Sequence, residues 1–248
     1  MDLIADRGRR VTVEELNTSK LLAHAAKQVK DRKFDDVLIV DTDAHHYENE
    51  NFAEILPFME NEVLKQLALA ARAKGGRGSV MPSGFGYQDM GGRVTRYPLR
   101  ASEKTDPGRQ RDAQLGDRWM NAMGVDYSCL FPTGMLNIGL HPQKEMEFEL
   151  CWAYARWVTE KALPDCNGRM YTMLCLPFSD PEGSLRMVET FGDRKGVGGF
   201  MITSVREKMQ VSDNAYMKVY RAIEERGLAI AFHSGPNWGS NTFQSCNR

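Results

Sequence analysis

The sequence predicts an α/β fold with a parallel sheet, and three observations carry that expectation. Short, almost wholly apolar runs recur at 37–40 (VLIV), 127–131 (YSCLF), 170–178 (MYTMLCLPF), 197–203 (VGGFMIT) and 228–232 (LAIAF). Apolar runs of this length, without alternation, fit strands buried on both faces, as in parallel sheets. Segments with helical periodicity lie between the runs, so the order from Tyr127 onward is β-α-β-α-β-α-β. The connections are short and carry Gly, Pro, Asp or Ser at the run boundaries.

Taken in order, the chain opens on a polar helix over 13–32, within an N-terminal helical segment 1–35. The first strand, 37–40, follows with acidic flanks. The stretch 74–117 then breaks the rhythm: it is rich in Gly, Arg, Pro and Ser and has no clear period. Insertions of that length act as lids, binding loops or interface arms, so it is expected to cover the site and help build a homo-oligomer. After the second strand, 145–163 forms a long amphipathic helix stopped by Pro164, in which Trp152, Tyr154 and Trp157 read as packing. Asp180-Pro181-Glu182 begins the next helix, with Asp as N-cap and Pro in the first helical position. The helix over 213–226 ends at Gly227, a residue suited to the left-handed turn past a helix end. No repeat or low-complexity tract divides the chain, so 1–248 reads as one domain.

Composition excludes several function classes. The 32 basic and 33 acidic residues nearly cancel, so no global field attracts nucleic acid or an anionic membrane. No run of about 18 apolar residues exists, and no apolar stretch follows the N-terminal charges, so neither a membrane span nor a secretory signal is expected. The five cysteines are odd in number and form no CxxC pair, which points to unpaired thiols in a reducing, cytoplasmic setting.

The chemistry is expected at strand ends, where parallel α/β folds gather functional groups. The first strand exits as Asp41-Thr42-Asp43-Ala44-His45-His46-Tyr47-Glu48. Residues two apart share a face of a strand, so Asp41, Asp43 and His45 point the same way. The last strand exits as Phe232-His233-Ser234-Gly235, and three of the five histidines fall on these two strand ends. Carboxylate with imidazole suits Zn²⁺, Mn²⁺ or Fe²⁺ rather than Ca²⁺. Arg93, Arg96 and Arg100 in the long loop read as solvated charges before carboxylate binders, and the glycines there lack the strand and GK[ST] context of a phosphate loop.

The D-x-D-x-H exit, the segment Phe178–Glu182, the run Gly196–Phe200, the helix 216–227 and the terminal Phe232-His233-Ser234-Gly235 resemble the amidohydrolase-2 family over about 36–235. These are metal-dependent TIM-barrel hydrolases and decarboxylases, typified by aminocarboxymuconate semialdehyde decarboxylase. The resemblance implies a (β/α)₈ barrel of metal-dependent hydrolase type with its first five strands present. The family's first strand ends in H-x-H; here those positions are Asp43 and His45, and its fifth-strand histidine corresponds to His233. The implied cofactor is one divalent ion, Zn, Mn or Fe, held by Asp43, His45 and His233. His46 and Glu48 are candidate catalytic residues that orient ligands or substrate. The family's later His and Asp have no counterpart before Arg248, so the expectation is an incomplete barrel in a piece of a longer protein. The implied activity is hydrolysis or decarboxylation of a small carboxylated or carbonyl-bearing compound. Two alternatives stand beside it: a dinuclear-metal oxygenase on the same fold, and a non-catalytic subunit of a hetero-oligomer.

Overall fold

A computed structural model describes residues 18–46, 52–73, 106–204 and 210–235. Five strands form one sheet in chain order: β1 (Val40–His46), β2 (Tyr127–Pro132), β3 (Met170–Cys175), β4 (Val197–Thr203) and β5 (Ala229–His233). Every neighbouring pair is parallel. In a flat sheet β1 and β5 would lie about 19 Å apart at roughly 4.8 Å per strand. Yet the imidazoles of His45 and His233 meet with Nε2 atoms 3.0 Å apart. The sheet is therefore curled as a (β/α)₈ barrel is, and the described strands form its first half.

Helices supply the outer layer: α1 (Thr18–Asp31), α2 (Phe52–Ile55), α3 (Glu62–Ala73), α4 (Arg111–Met123), α5 (Lys144–Trp157), α6 (Pro181–Phe191) and α7 (Met217–Glu225). The core lies between this layer and the sheet, where Leu174, Phe200 and Ile202 meet Trp157, Tyr154, Val188 and Phe191 in one buried cluster. The segment 145–163, expected to be amphipathic, is buried nearly all round in α5, from Met146 to Trp157. Its alanines 153 and 155 let it sit deep against its neighbours. It continues through a π turn (Val158–Ala162) and a 3₁₀ turn holding Pro164. Asp180 does occupy the N-cap position of α6, but its side chain makes no capping bond. Gly227 takes φ 64° and donates to Glu224 O, as expected of a residue ending α7.

Two expectations need correction. The first strand is not 37–40. Val37 and Leu38 are 58% and 70% exposed, and the strand begins at Val40, where pairing with Tyr127 starts. A left-handed Lys33 and a 3₁₀ turn (Phe34–Asp36) turn the chain first, and Asp126 then ties down Ile39 through both its backbone and its carboxylate. The acidic and histidine-rich stretch is itself the strand. The loop 74–117 is likewise too long at its C-terminal end. Helix α4 starts at Arg111, because the Gln110 side chain accepts the N–H groups of Asp112 and Ala113 and stands in for a shorter capping residue. Residues 74–105, with Arg93, Arg96 and Arg100, lie outside the described residues. None of the helices among the described residues is long and apolar enough to cross a membrane, and Cys129, Cys151, Cys166 and Cys175 are free thiols.

Candidate metal centre

At the C-terminal end of the half-barrel, β1 and β5 bring three ligand-bearing side chains together. His45 Nε2 lies 3.0 Å from His233 Nε2. Asp43 Oδ1 is 3.1 Å from His233 Nε2 and 3.4 Å from His45 Nε2. Among the described residues this is the one group of three His, Cys, Asp or Glu side chains whose ligand atoms converge. The Asp43 carboxylate is 69% exposed, so the cluster opens to solvent on that side.

Each ring is aimed from behind. His233 Nδ1 faces the Ser234 carbonyl oxygen at 2.6 Å. A carbonyl oxygen only accepts, so Nδ1 carries the proton and Nε2 presents a lone pair. The backbone of His233 is pinned as well, because Ser204 N–H donates to its carbonyl at 2.8 Å. His45 Nδ1 meets the Thr133 hydroxyl at 3.1 Å, and Thr133 N–H donates to His46 O at 3.0 Å. Thr133, the first residue beyond β2, thus holds both the ring and the backbone at the end of β1. Phe131 walls the site, its ring 5.0 Å from that of His233 and 6.1 Å from that of His45.

The electrostatics of this group are unbalanced. With His233 fixed as the Nδ1–H tautomer, neutral imidazoles bring at most one N–H to three atoms that all hold lone pairs. Two acceptors facing each other at about 3 Å repel unless a proton or cation lies between them. Three atoms bonded to one ion at about 2.0–2.2 Å lie about 2.8–3.6 Å apart for angles between 90° and 110°. The observed separations of 3.0, 3.1 and 3.4 Å fall in that range. Below the cluster, burial first and then the charges of Asp41 and Asp43 push the Cys129 thiol up to about 11.

The remaining sequence candidates fall elsewhere. Asp41 Oδ1 accepts the Asp43 backbone N–H at 3.1 Å, so it braces the ligand-bearing backbone. His46 is on the opposite face of β1, 2% exposed, and does not join the cluster. Its Nε2 is 2.8 Å from Tyr154 Oη and its Nδ1 is 3.5 Å from Asp112 Oδ2. Glu48 lies outside the described residues. Sequence reasoning missed Thr133, Phe131, Asp112 and the hydroxyl of Tyr154. Thr133 was within reach of the strand-end rule, since it follows the apolar run that became β2. Asp112 and Tyr154 carry no local signal, because only the packing of α4 and α5 on β1 brings them to His46.

Compared with known families, residues 40–247 match the model of the family described as Amidohydrolase. No curated protein matches the chain. Among solved structures, the chain is similar to an amidohydrolase II at 16% identity and TM-score 0.48, covering 82% of this chain and 53% of that one. It is similar to 5-carboxyvanillate decarboxylase from Novosphingobium aromaticivorans, solved with manganese and 4-hydroxy-3-methoxy-5-nitrobenzoic acid. The identity there is 17% and the TM-score 0.48, over 84% of this chain and 54% of that one. A third likeness is 2,6-dihydroxybenzoate decarboxylase from Rhizobium, at 17% identity and TM-score 0.38, over 50% and 39%. The chain spans about half the length of the first of these structures.

Proposed function

The chain belongs to the Amidohydrolase family, and from that premise we propose that it is a metal-dependent hydrolase or carboxy-lyase acting on a small carboxylated or carbonyl-bearing compound. The observation that carries the reading is the convergence of Asp43 Oδ1, His45 Nε2 and His233 Nε2, three lone-pair atoms with at most one proton among them. Two imidazoles and a carboxylate suit Zn²⁺, Mn²⁺ or Fe²⁺. Such an ion, when bound, polarises a substrate oxygen or lowers the pKa of a bound water.

The protein's own residues do the rest. The Ser234 carbonyl keeps the His233 proton on Nδ1, and the Thr133 hydroxyl orients His45. Phe131 closes one side against water, whereas the exposed side of Asp43 leaves a path for substrate. A single converging group among the described residues favours one ion over the dinuclear alternative.

The test is turnover. Protein loaded with Mn²⁺ or Zn²⁺ is offered small aromatic and aliphatic carboxylic acids, esters and amides, while released CO₂ and released acid are followed separately. Turnover that stops with chelator and in His45→Ala supports the reading, and the product identifies lyase or hydrolase. Turnover that persists in both, or none across the whole set with metal bound, overturns it.

A further inference from the structure

We propose that His46 is a positioning residue: from the outer face of β1 it sets the aim of His45 and Asp43 on the inner face. The proposal rests on the metal-centre reading above.

The backbone ladder alone holds this part of β1 poorly. Among the described strands β1 pairs only with β2, and the pairing is interrupted between Asp41 and Ala44, where β1 has one residue more than its partner. Such a bulge increases local twist and re-aims the side chains that follow. Asp43 lies inside the irregularity and His45 just past it.

His46 supplies the missing constraint. Its Nδ1 faces a carboxylate oxygen of Asp112 on α4, so Nδ1 carries the proton and Nε2 accepts from the Tyr154 hydroxyl on α5. The ring lies parallel to the Trp157 indole, at 3° and 6.2 Å between centroids. Tyr154 Oη is in turn 3.4 Å from Thr172 Oγ1 on β3. One imidazole therefore ties β1 to two helices and, through Tyr154, to the sheet two strands away. An all-apolar cluster would fill the same space without the cost of desolvating a histidine and a carboxylate. What the polar cluster adds is direction, since hydrogen bonds fix the ring in rotation as well as in place.

Consecutive side chains of a strand leave one backbone toward opposite faces. Holding the rotation of His46 therefore holds that of His45, and Asp43 shares the same short stretch. A ligand set tolerates only about 0.5 Å or 10–20° of misplacement. The Thr133 contact steadies His45 from the inner side, and His46 does so from the outer side.

The experiment compares parent, Tyr154→Phe and Asp112→Leu, two changes of similar size that each remove one hydrogen-bond partner of His46. Metal-free melting temperature, Co²⁺ affinity and the visible absorption of the Co²⁺ form are measured on each. A variant with no cooperative metal-free melt is set aside, and the other carries the comparison. The expected result is a Co²⁺ affinity lower by about 10-fold, the low end for groups that support a ligand. A changed Co²⁺ spectrum should accompany it in the folded variant. Affinity and spectrum equal to the parent's, however far the melting temperature moves, would mean that the cluster is only packing. If the parent itself binds no Co²⁺, the metal-centre reading falls and this proposal with it; if the parent binds and the variants match it, only this proposal falls.

Discussion

Gly199 marks the place where the path from fold to site is easiest to break. It pairs with Ala229 at the start of the β4–β5 ladder. A Cβ on Gly199 would stand 2.1 Å from the Ala229 carbonyl oxygen, 2.8 Å from its carbonyl carbon and 2.9 Å from its nitrogen. Ordinary contact begins at 3.4 Å, so Gly199→Ala requires β4 and β5 to part by about 1.3 Å. The obstacle is backbone, which cannot rotate away as a side-chain tip can. Overpacking costs about 1–3 kcal/mol, and each ladder hydrogen bond stretched out of range about 1 kcal/mol more, for a total of about 3 kcal/mol. For a chain of this size that is a melting-temperature loss of about 6–12 °C. The same shift displaces β5, which carries His233, by more than the roughly 0.5 Å a ligand site tolerates. Gly198→Ala is the matched control, since a Cβ there meets nothing closer than 3.7 Å. Thermal melts and divalent-metal titrations on both variants check the reasoning. If Gly199→Ala melts within about 2 °C of Gly198→Ala and binds metal equally well, the close approach does not hold β5 in place.

Further outcomes are expected. Thr133→Val keeps shape but removes the hydroxyl behind His45, and should weaken metal binding by about 10-fold with little change in metal-free stability, by titration against the parent. Burial pushes Cys166 up to about 12 and Cys151 well above the ordinary thiol range. A raised folded-state pKa gives stability that is complete below the unfolded value of about 8.5 and is lost as pH rises toward the folded one. Denaturant midpoints should therefore fall between about pH 8.5 and 11, and this fall should shrink in Cys166→Ala. Equal midpoints across that range would contradict the burial of these thiols. Phe200→Ala, at a fully buried ring in β4, should cost about 3–5 kcal/mol in chemical denaturation.

The parts of the fold that were legible in the sequence are those with a purely local signal. The run 197–203 is β4 as read, 127–131 stops one residue short of the end of β2, and 228–232 is β5 shifted by one residue. In β2 and β4 burial of most of the strand leaves an apolar run, whereas β5 is apolar by sequence although Phe232 is 63% exposed at the edge of the described sheet. β1 was misplaced because the rule was inverted there: the apolar residues 37 and 38 are exposed, and the strand is built from Asp41, Asp43, His45 and His46. Chemistry had displaced the hydrophobic pattern at the one strand that carries most of the site. Helix α4 was hidden because Gln110 caps it, a residue too long to be recognised as a cap from its identity. At the site, Asp43, His45 and His233 were found by strand-end position, and the structure brings these three together. His46, read from the sequence as a residue that orients ligands or substrate, lies behind β1 with Asp112 and Tyr154, as alternation along a strand requires. Those partners are 66 and 108 residues away, a separation that no local pattern encodes.

The most direct test of the central claim is a calorimetric titration of chelator-treated protein with Mn²⁺, repeated on Asp43→Ala and His233→Ala. One ion per chain in the parent, with affinity lower by at least about 10-fold in each variant, is the predicted result. No binding in the parent, or binding in His233→Ala as tight as in the parent, would contradict the assignment of Asp43, His45 and His233 as the ligands of a single metal ion.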